Sequence, residues 1–505
     1  MNLPKLNLIL WLLCVGILFT ACDKKWDEHN AVNDPLVGET LLNEVNKNPE
    51  LSKFSEYLSA TGYDAVLASS KTFTVWAPTN AALQAIDPAL IDSDEELKMF
   101  VGMHIAHQSF LTTDFIQQHV NVKTLSNKNV TLTKTTVDEA TLLTKDKYVG
   151  NGVLNTIGTA IVPKVNAWEY LMSTNTLQKQ VLDKYTYTYV DLNRAEQIGV
   201  DPATGEPVYK PGTGVFSSNS YRDTWFRDAN GLSSRRHDIN NEDSLFTYII
   251  LTDAAFLAEK QKLSMYYAAG DSTDSITSYN VVKDLVFSGY LDKENFPQTV
   301  YSVGDSVKFH LKANAVVETH RVSNGVVYVM SSIDYDLGVN GVYDPYAKIK
   351  PVVIQGENLV GDMNNLNAAN RASRTRIRRN PNTMQLYTDF LSENHGKANY
   401  WIRYQAPGTV HPIKYKVYWV AVNDFQEAKF PMSIAFNRIT NPRTFTKEVQ
   451  LDDYSEVYLG EYTVDKLYSS TTKSLTLPVF LMGPNITTNG LNTLVLDYIK
   501  MVPVQ

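Results

Sequence analysis

The chain has 505 residues, 44% hydrophobic and 20% charged, which is the composition of a globular protein of about three domains. Its net charge of −8 excludes a general nucleic-acid binder, because such a protein needs a basic surface. Both cysteines, Cys14 and Cys22, lie near the amino terminus. The sequence that follows them therefore has no disulfide, no cysteine nucleophile and no cysteine-bound metal.

The amino terminus has the pattern of an export signal. Lys5 precedes a nearly unbroken apolar run, Leu8 to Phe19, that is too short to span a bilayer. The following Thr20-Ala21-Cys22 resembles the lipobox of bacterial lipoproteins, in which the cysteine thiol carries lipid. We predict a signal peptide over residues 1–21, lipidation at Cys22 and a polar tether over residues 22–35. The alternative is an ordinary secretory signal with a chance cysteine.

Residues 36–170 alternate between helical and strand patterns. Apolar residues recur at helical spacing from Leu41 to Leu58. Lys71 to Trp76 has the composition of a strand, and Pro78 ends it because proline lacks the ladder donor. Residues 95–107 have the pattern of a further helix. This mixture predicts an α/β domain.

Two segments of this domain resemble the two signatures of the fasciclin family. The first is Thr72 to Leu83 (TFTVWAPTNAAL) and the second is Asn151 to Pro163 (NGVLNTIGTAIVP). Between them, His104 matches the family's histidine, whereas Met103 stands where the family has a tyrosine. The resemblance implies a compact α/β fold used in adhesion and matrix contact.

A weaker repeat of both signatures follows. Ser244 to Phe256 has the rhythm of the first signature, and Val316 to Met330 contains a counterpart of the second. We predict a second, diverged fasciclin-like domain over residues 171–338. It carries an insertion at about residues 190–243 with no pattern of regular structure, and with aromatic residues such as Trp225. An insertion of this length is either a partly ordered loop that faces a partner or disordered chain.

From residue 345 onward the apolar period changes to 2. Strand patterns at regular spacing predict an all-β sandwich over residues 345–505. The closing run, Leu494 to Met501, resembles the last strand of jelly-roll carbohydrate-binding modules. The predicted fold class is therefore two α/β fasciclin-like domains, the second diverged, followed by a jelly-roll-like β-sandwich. Arginines cluster just before its first strong strands and form either a solvated loop or a patch for acidic sugars or lipid headgroups: Arg371, Arg374, Arg376, Arg378 and Arg379.

The sequence lacks the common catalytic motifs. There is no nucleophile elbow, zinc-binding helix or phosphate-binding loop. His104 and His107 are one turn apart on a predicted helix, but no third ligand is evident, so we predict no metal site and no cofactor. The predicted function is a non-enzymatic lipoprotein for adhesion or ligand binding, held in the outer membrane by its lipid and exposed on the cell surface.

The sequence does not identify the ligand. One version of this function is a glycan-binding accessory protein of an outer-membrane uptake complex. Aromatic rings stack on the C–H faces of sugars, and the candidates are Trp401, Tyr418, Trp419 and Trp225. Strand alternation places either Tyr418 or Trp419 in the core. One alternative is a structural adaptor whose insertion and sandwich dock outer-membrane transporter proteins. Another is a polysaccharide hydrolase with its site in the sandwich.

Overall fold

The computed structural model describes residues 38–69, 71–113, 120–224, 226–227, 233–363, 372–424, 426–439, 444–469 and 476–505. The predicted signal peptide and tether, with Cys22, lie outside these residues, as does Trp225. Among the described helices, none is long and apolar enough to span a membrane. The chain forms two compact units. Unit 1 falls within residues 1–166 and 322–324, and unit 2 comprises residues 167–321 and 325–505.

Unit 1 is an α/β domain built on one mixed sheet. Its elements are α1 (Leu41–Lys47), α2 (Ser52–Ala60), α3 (Tyr63–Leu67), β1 (Phe73–Pro78), α4 (Asn80–Gln84), α5 (Asp94–Gly102), β2 (Ile105–His107), β3 (Val120–Lys123), β4 (Asn129–Leu132), β5 (Thr136–Val137), β6 (Ala140–Val149) and β7 (Gly152–Ile157). The strand order is β2-β1-β7-β6-β5-β4-β3. β1 pairs in parallel with β7 and is buried along its whole length. The apolar faces of α1, α2 and α5 belong to the same core cluster as β1.

Side-chain caps fix where the helices of unit 1 begin. Thr79 Oγ1 accepts the N–H of Ala82 at 3.2 Å and starts α4 directly after β1 ends at Pro78. Ser93 and Glu96 form a reciprocal capping box at the start of α5. The predicted helix over residues 95–107 is wrong in its last part, because α5 ends at Gly102. The chain then forms β2, which pairs with β1 and supplies hydrogen-bond partners for the main chain at that edge of the sheet.

The first half of unit 2 contains a second, smaller sheet. The elements are α6 (Ala167–Ser173), α7 (Leu177–Asp183), β8 (Thr186–Val190), β9 (Gln197–Val200), β10 (Pro207–Tyr209), β11 (Val215–Asn219), α8 (Ser220–Asp223), β12 (Phe226–Arg227), β13 (Ser233–Ser234), β14 (Phe246–Leu251), α9 (Asp253–Ser264), α10 (Thr273–Val282), β15 (Val286–Ser288), β16 (Val300–Tyr301), β17 (Lys308–Phe309), β18 (Val316–Val322) and β19 (Gly325–Met330). Four strands form a sheet in the order β15-β14-β19-β18.

This sheet repeats the geometry at the centre of unit 1. The parallel pair β1–β7 begins at Phe73 opposite Gly152, and the parallel pair β14–β19 begins at Phe246 opposite Gly325. Both glycines have a positive φ, of 149° and 138°. A Cβ on either one would lie 1.9 Å from the carbonyl oxygen of its phenylalanine partner. In both strand pairs, therefore, the two backbones approach so closely at this position that only glycine fits.

A bridging threonine also recurs in the two sheets. Thr74 Oγ1 accepts the N–H of Phe110 at 2.8 Å, just beyond the hairpin edge of β2. Thr247 Oγ1 accepts the N–H of Leu291 at 2.8 Å, just beyond β15. Each threonine is the second residue of its central strand. The two halves of the chain therefore share a local hydrogen-bonding device as well as a strand register.

The predicted insertion has regular structure in its described part, which corrects the expectation of an irregular loop. β8 pairs with β11, and β9 pairs with β10, so residues 186–219 form two antiparallel ribbons that we call the arm. β8 has the sequence Thr-Tyr-Thr-Tyr-Val, whose β-branched and aromatic residues favour strands. The Gly and Pro residues that suggested an irregular loop lie mainly in the turns and at strand ends.

The described residues from 352 onward form strands and no helix, in agreement with the all-β region predicted over residues 345–505. Its strands are β20 (Val352–Gln355), β21 (Gly361–Asp362), β22 (Ala372–Arg379), β23 (Leu386–Glu393), β24 (Trp401–Gln405), β25 (Thr409–Val410), β26 (Lys414–Val420), β27 (Phe430–Phe436), β28 (Phe445–Val449), β29 (Val457–Thr463), β30 (Tyr468–Ser469), β31 (Pro478–Met482), β32 (Leu494–Leu496) and β33 (Tyr498–Val504). The larger sheets have the orders β20-β33-β26-β29 and β21-β24-β31-β27-β28. They pack against each other, for example where Phe436 stacks on Tyr462 with ring centroids 4.0 Å apart.

The described part of the arginine-rich segment is a strand, β22, and not the predicted loop; Arg371 lies outside the described residues. Arg376, in β22, donates two hydrogen bonds to the buried carboxylate of Asp389, at 2.8 and 2.7 Å. Arg374 contacts Glu393 at 2.8 Å, and Arg378 contacts Asp424. Carboxylates of the chain itself therefore pair with these arginines, which weakens the alternative of a patch for acidic ligands.

A buried junction joins the two halves of unit 2. Lys348 lies between the second sheet and the all-β region, and its Nζ is 2.6 Å from Oδ2 of Asp284. The side chains of Lys348 and Asp284 are only 3% and 1% exposed. His411, from the all-β region, donates through Nδ1 to the carbonyl of Tyr266 at 2.8 Å and is also buried. Polar contacts inside the protein therefore connect both halves.

Candidate functional site

Tyrosine side chains cluster on the outer side of the sheet β20-β33-β26-β29. Tyr418 in β26 and Tyr458 in β29 are cross-strand partners, and Lys500 in β33 pairs with Tyr418 on the other side. Their strand neighbours Val417 and Ile499 are fully buried, so alternation turns the tyrosines outward. We call the following residues the tyrosine face: Tyr343, Tyr418, Glu456, Tyr458, Tyr498 and Lys500.

Two rings of the tyrosine face, those of Tyr343 and Tyr418, lie near the ammonium group of Lys500. The ring centroids of Tyr418 and Tyr458 are 5.2 Å apart, with an interplanar angle of 52°. Lys500 Nζ lies 5.2 Å from the ring centroid of Tyr418 and 5.2 Å from that of Tyr343. These distances allow cation–π attraction, which holds the rings in place. Tyr343 and Tyr458 are each 47% exposed and offer ring surface to solvent.

Glu456 balances the charge of this face. Its carboxylate accepts a hydrogen bond from Lys500 Nζ at 2.6 Å and another from the hydroxyl of Tyr498 at 2.8 Å. Burial and the bond to Glu456 raise the pKa of Tyr498, and burial followed by the charge of Glu456 raises the pKa of Tyr418. Both hydroxyls therefore stay protonated at neutral pH. The face therefore combines apolar rings with fixed polar groups.

A pocket of about 440 Å³ lies at the adjoining edge, between β28 and β29. Its walls include four apolar residues, Trp419, Ala421, Val449 and Val457. The remaining lining residues are Thr446, Lys447, Glu448, Gln450 and Asp453. Val457 directly precedes Tyr458, so the pocket and the tyrosine face share strand β29. An apolar wall beside charged groups is a common arrangement in small-molecule sites.

The described aromatic residues that the sequence analysis proposed as ligand-binding candidates do not lie together in one site. Tyr418 belongs to the tyrosine face, whereas Trp419 is 2% exposed and only borders the adjoining pocket. Trp401 is half-buried in the other large sheet, where it meets Phe480 edge to face at 5.8 Å. Tyr418 and Trp401 thus lie in different sheets and do not form one site. Trp225 lies outside the described residues.

Sequence reasoning missed most of the tyrosine face. Tyr498 and Lys500 are two residues apart in the predicted last strand, so the period of 2 already placed them on one side. Tyr458 occupies the corresponding outward position in β29. Tyr343 and Glu456 lie outside the strands, and strand periodicity contains no information about them.

The two histidines considered as metal ligands are not on one helix face. His104 follows α5 and is fully buried, whereas His107 ends β2. His104 donates through Nδ1 to the carbonyl of Phe100 at 2.8 Å, and its Nε2 accepts the N–H of Ile161 at 2.9 Å. Both ring nitrogens are therefore engaged in structural hydrogen bonds. In the part of the chain that the structure describes, no group of three His, Cys, Asp or Glu residues is arranged to hold a metal ion.

His104 should make unit 1 sensitive to acid. Burial lowers the pKa of His104 to about 4, despite the opposing effect of its hydrogen bond to Phe100. Below the ordinary pKa of about 6.5 the unfolded chain binds a proton that the folded unit does not, so stability falls from pH 6.5 to 4 and then levels off. We expect a loss of about 3 kcal/mol over this range, measured by chemical unfolding with hydrogen exchange of unit 1 peptides.

The matched variants of this prediction are His104→Gln and His107→Gln. His104→Gln lowers stability at neutral pH but removes most of the dependence on pH, because the group that titrates is gone. His107→Gln keeps the wild-type slope. An unchanged slope in His104→Gln would contradict the assignment.

Comparison with known proteins supports the family resemblance of unit 1. Residues 49–163 match the family model described as Fasciclin domain. No curated protein matches the sequence. Among solved structures, the chain is similar to a FAS1 domain pair from the insect cell adhesion molecule Fasciclin I, at 14% identity and a TM-score of 0.21, covering 57% of this chain and 97% of that one.

Two further solved structures are carbohydrate-binding modules. One is a family 35 module from Clostridium thermocellum, with 15% identity and a TM-score of 0.20, covering 31% of this chain and 99% of that one. The other is a β-1,3-glucan-binding CBM6 from Bacillus halodurans, with 9% identity and a TM-score of 0.21, covering 32% of this chain and 98% of that one.

Proposed function

We propose that this protein is a non-enzymatic, lipid-anchored binding protein of the bacterial cell surface, and that the tyrosine face binds carbohydrate. Support comes from the fasciclin domain at residues 49–163, a family associated with adhesion, and from the sequence pattern around Cys22. The observation that carries the carbohydrate assignment is the tyrosine face itself. Its rings supply apolar platforms, and its neutral hydroxyls and the Lys500–Glu456 pair supply hydrogen bonds for sugar hydroxyls.

The first half of unit 2 is, in this proposal, a second and diverged fasciclin-like domain. The support is the shared register of β1–β7 and β14–β19 and the recurring threonine bridges at Thr74 and Thr247. Leu285 takes the place of His104, since the carbonyl of each accepts the N–H of the fourth residue of the central strand, Ile249 in β14 and Trp76 in β1. The all-β region is then a jelly-roll-like sandwich that follows two fasciclin-like domains in the chain.

Removal of one exposed ring should weaken carbohydrate binding. Tyr458→Ala deletes half of the Tyr418–Tyr458 platform, and we expect roughly tenfold weaker binding, which corresponds to about 1.4 kcal/mol. The measurement is affinity electrophoresis of the purified chain in gels containing plant, host and microbial polysaccharides, followed by calorimetry on those that retard it.

Tyr301→Ala is the matched control for this experiment. Tyr301 has the same 47% exposure and also pairs with a tyrosine, Tyr346, at a ring distance of 5.1 Å, but it is not part of the tyrosine face. It should bind as the unaltered chain does. Equal losses in both variants, or no retardation by any polysaccharide, would contradict the proposed site. Release of reducing sugar ends by the purified protein would favour the hydrolase alternative.

The anchor is tested by Cys22→Ser. Without the thiol no lipid can be attached, so the variant should move from the membrane fraction to the soluble fraction of the cell envelope. The measurement is fractionation with immunoblotting. A variant that stays membrane-bound would show that attachment does not depend on lipid at this position.

A further inference from the structure

The arm exposes a strand edge. Asp191, next to β8, donates its N–H to the carbonyl of Gly214 at 2.8 Å, which fixes the hydrogen-bonding phase of the ribbon β8–β11. Because this phase alternates, the odd-numbered residues of β8 direct their main chain toward β11. The main-chain groups of Thr186, Thr188 and Val190 point the other way. In the part of the chain that the structure describes, these groups have no hydrogen-bond partner on that edge.

This edge lacks the usual protection against strand pairing. Natural proteins guard exposed edges with charged residues, proline or bulges. β8, Thr-Tyr-Thr-Tyr-Val, contains no charge, no proline and no register shift against β11, and all its residues are exposed. Its composition also has high β-propensity. Such an edge is a template for a further strand.

The arm also displays apolar side chains. Its large hydrophobic side chains that are at least 40% exposed are Tyr187, Tyr189, Val190, Leu192, Ile198, Val200, Val208 and Val215. Three of them, Tyr187, Tyr189 and Val190, belong to β8 itself. A strand added at the edge of β8 would place its own side chains beside these three.

We propose that two copies of this chain associate through β8, which pairs antiparallel with β8 of the second copy. The sequence of β8 is nearly symmetric about Thr188, so a two-fold axis there places Tyr187 of each copy opposite Tyr189 of the other. Thr188 then exchanges both main-chain hydrogen bonds with its symmetry mate, and Thr186 pairs with Val190. Every main-chain group that points away from β11 acquires a partner.

The geometry of this pairing favours the aromatic contacts. The Thr188 pair is hydrogen-bonded, so the flanking tyrosine pairs occupy non-hydrogen-bonded sites, where Cα atoms are only about 4.5 Å apart and side chains meet closely. The product is a four-stranded sheet, β11-β8-β8-β11, which is far more stable than an isolated two-stranded ribbon. Because the contact is isologous, it closes at two copies and does not form fibres.

Sedimentation of the full chain tests the association, with Thr188→Pro as the disrupting variant. Proline removes an N–H that the ribbon β8–β11 does not use. We expect the unaltered chain to have the mass of two copies above an apparent Kd on the order of 10 µM, and Thr188→Pro to have the mass of one. Ser217→Pro is the matched control: Ser217 faces Thr188 across the ribbon and points its N–H to the opposite edge, so this variant should remain a dimer.

Cross-linking identifies the edge independently. In a background where Cys14 and Cys22 are replaced by serine, Thr188→Cys places two thiols across the two-fold axis, with Cα atoms about 5.5 Å apart, within the range of a disulfide. We expect a covalent dimer on oxidation with Thr188→Cys and none with Ser217→Cys. A chain that stays monomeric at high concentration, a dimer that survives Thr188→Pro, or equal cross-linking of both variants would overturn the proposal.

Discussion

Replacing Lys348 with methionine should unfold the second half of the molecule more readily than any surface substitution. The ammonium group of Lys348 lies 2.6 Å from Asp284, and both side chains are almost completely buried. Burial alone would raise the pKa of Asp284, but Lys348 and Lys283 outweigh it and hold this pKa at about 2. Lys348→Met therefore leaves a charged carboxylate without its main partner in the protein interior. We expect a loss of about 3–5 kcal/mol, measured by denaturant-dependent hydrogen exchange of peptides from α10.

An exposed ion pair provides the control. Lys312 Nζ is 2.8 Å from Asp334, but the two side chains are 59% and 48% exposed. Lys312→Met should therefore cost less than about 1 kcal/mol. A second variant, Lys348→Met combined with Asp284→Leu, should recover most of the lost stability, because an apolar pair needs no compensating charge. If Lys348→Met were as mild as Lys312→Met, the buried pair would not stabilise the junction.

Adding one methyl group at Gly152 should be nearly as damaging in unit 1. A Cβ there would lie 1.9 Å from the carbonyl oxygen of Phe73, and the backbone φ of 149° is unfavourable for other residues. β1 and β7 would have to separate, which exposes the centre of the core. We expect Gly152→Ala to cost about 3–5 kcal/mol, seen as lost protection of the amides in β1.

The nearby Gly158→Ala separates this effect from a general intolerance of alanine. A Cβ at Gly158 would meet only the side chain of Leu143, at 3.5 Å, which is an ordinary contact. It should be close to neutral. Gly325→Ala, with the same 1.9 Å approach to Phe246, should reproduce the large loss in unit 2. A mild effect at Gly325 would contradict the claim that both strand pairs depend on the same close approach.

Sequence patterns predicted the parts of the fold that depend on interactions between residues close together in the chain. The strands of the all-β region were visible as period-2 runs, and the strand end at Pro78 follows from the missing donor of proline. The helix predicted over residues 95–107 extends too far, because its last residues pair with the edge of β1 as strand β2. This pairing is a tertiary interaction, and it overrides the helical spacing of the sequence. The arm was missed for a different reason: Gly and Pro in its turns masked short strands such as β8.

The candidate site could be predicted only in part. Alternation identified one of Tyr418 and Trp419 as a core residue, and the structure shows that it is Trp419. It could not reveal that Trp401 belongs to another sheet, since strand order depends on long-range pairing. Nor could it supply Tyr343, which reaches the face from outside the strands. When a site is assembled from several strands and loops, the pattern of a single sequence identifies only some of its residues.

The buried junction also determines where this chain can be divided. Ala347 and Ile349 are completely buried on either side of Lys348, so these three residues are not accessible to a protease in the folded chain. A fragment that begins at residue 345 would contain the buried Lys348 without Asp284. A fragment that ends at residue 338 would contain the buried Asp284 without its counter-ion Lys348. Truncated forms intended for crystallisation or ligand screening should therefore keep residues 167–505 in one piece.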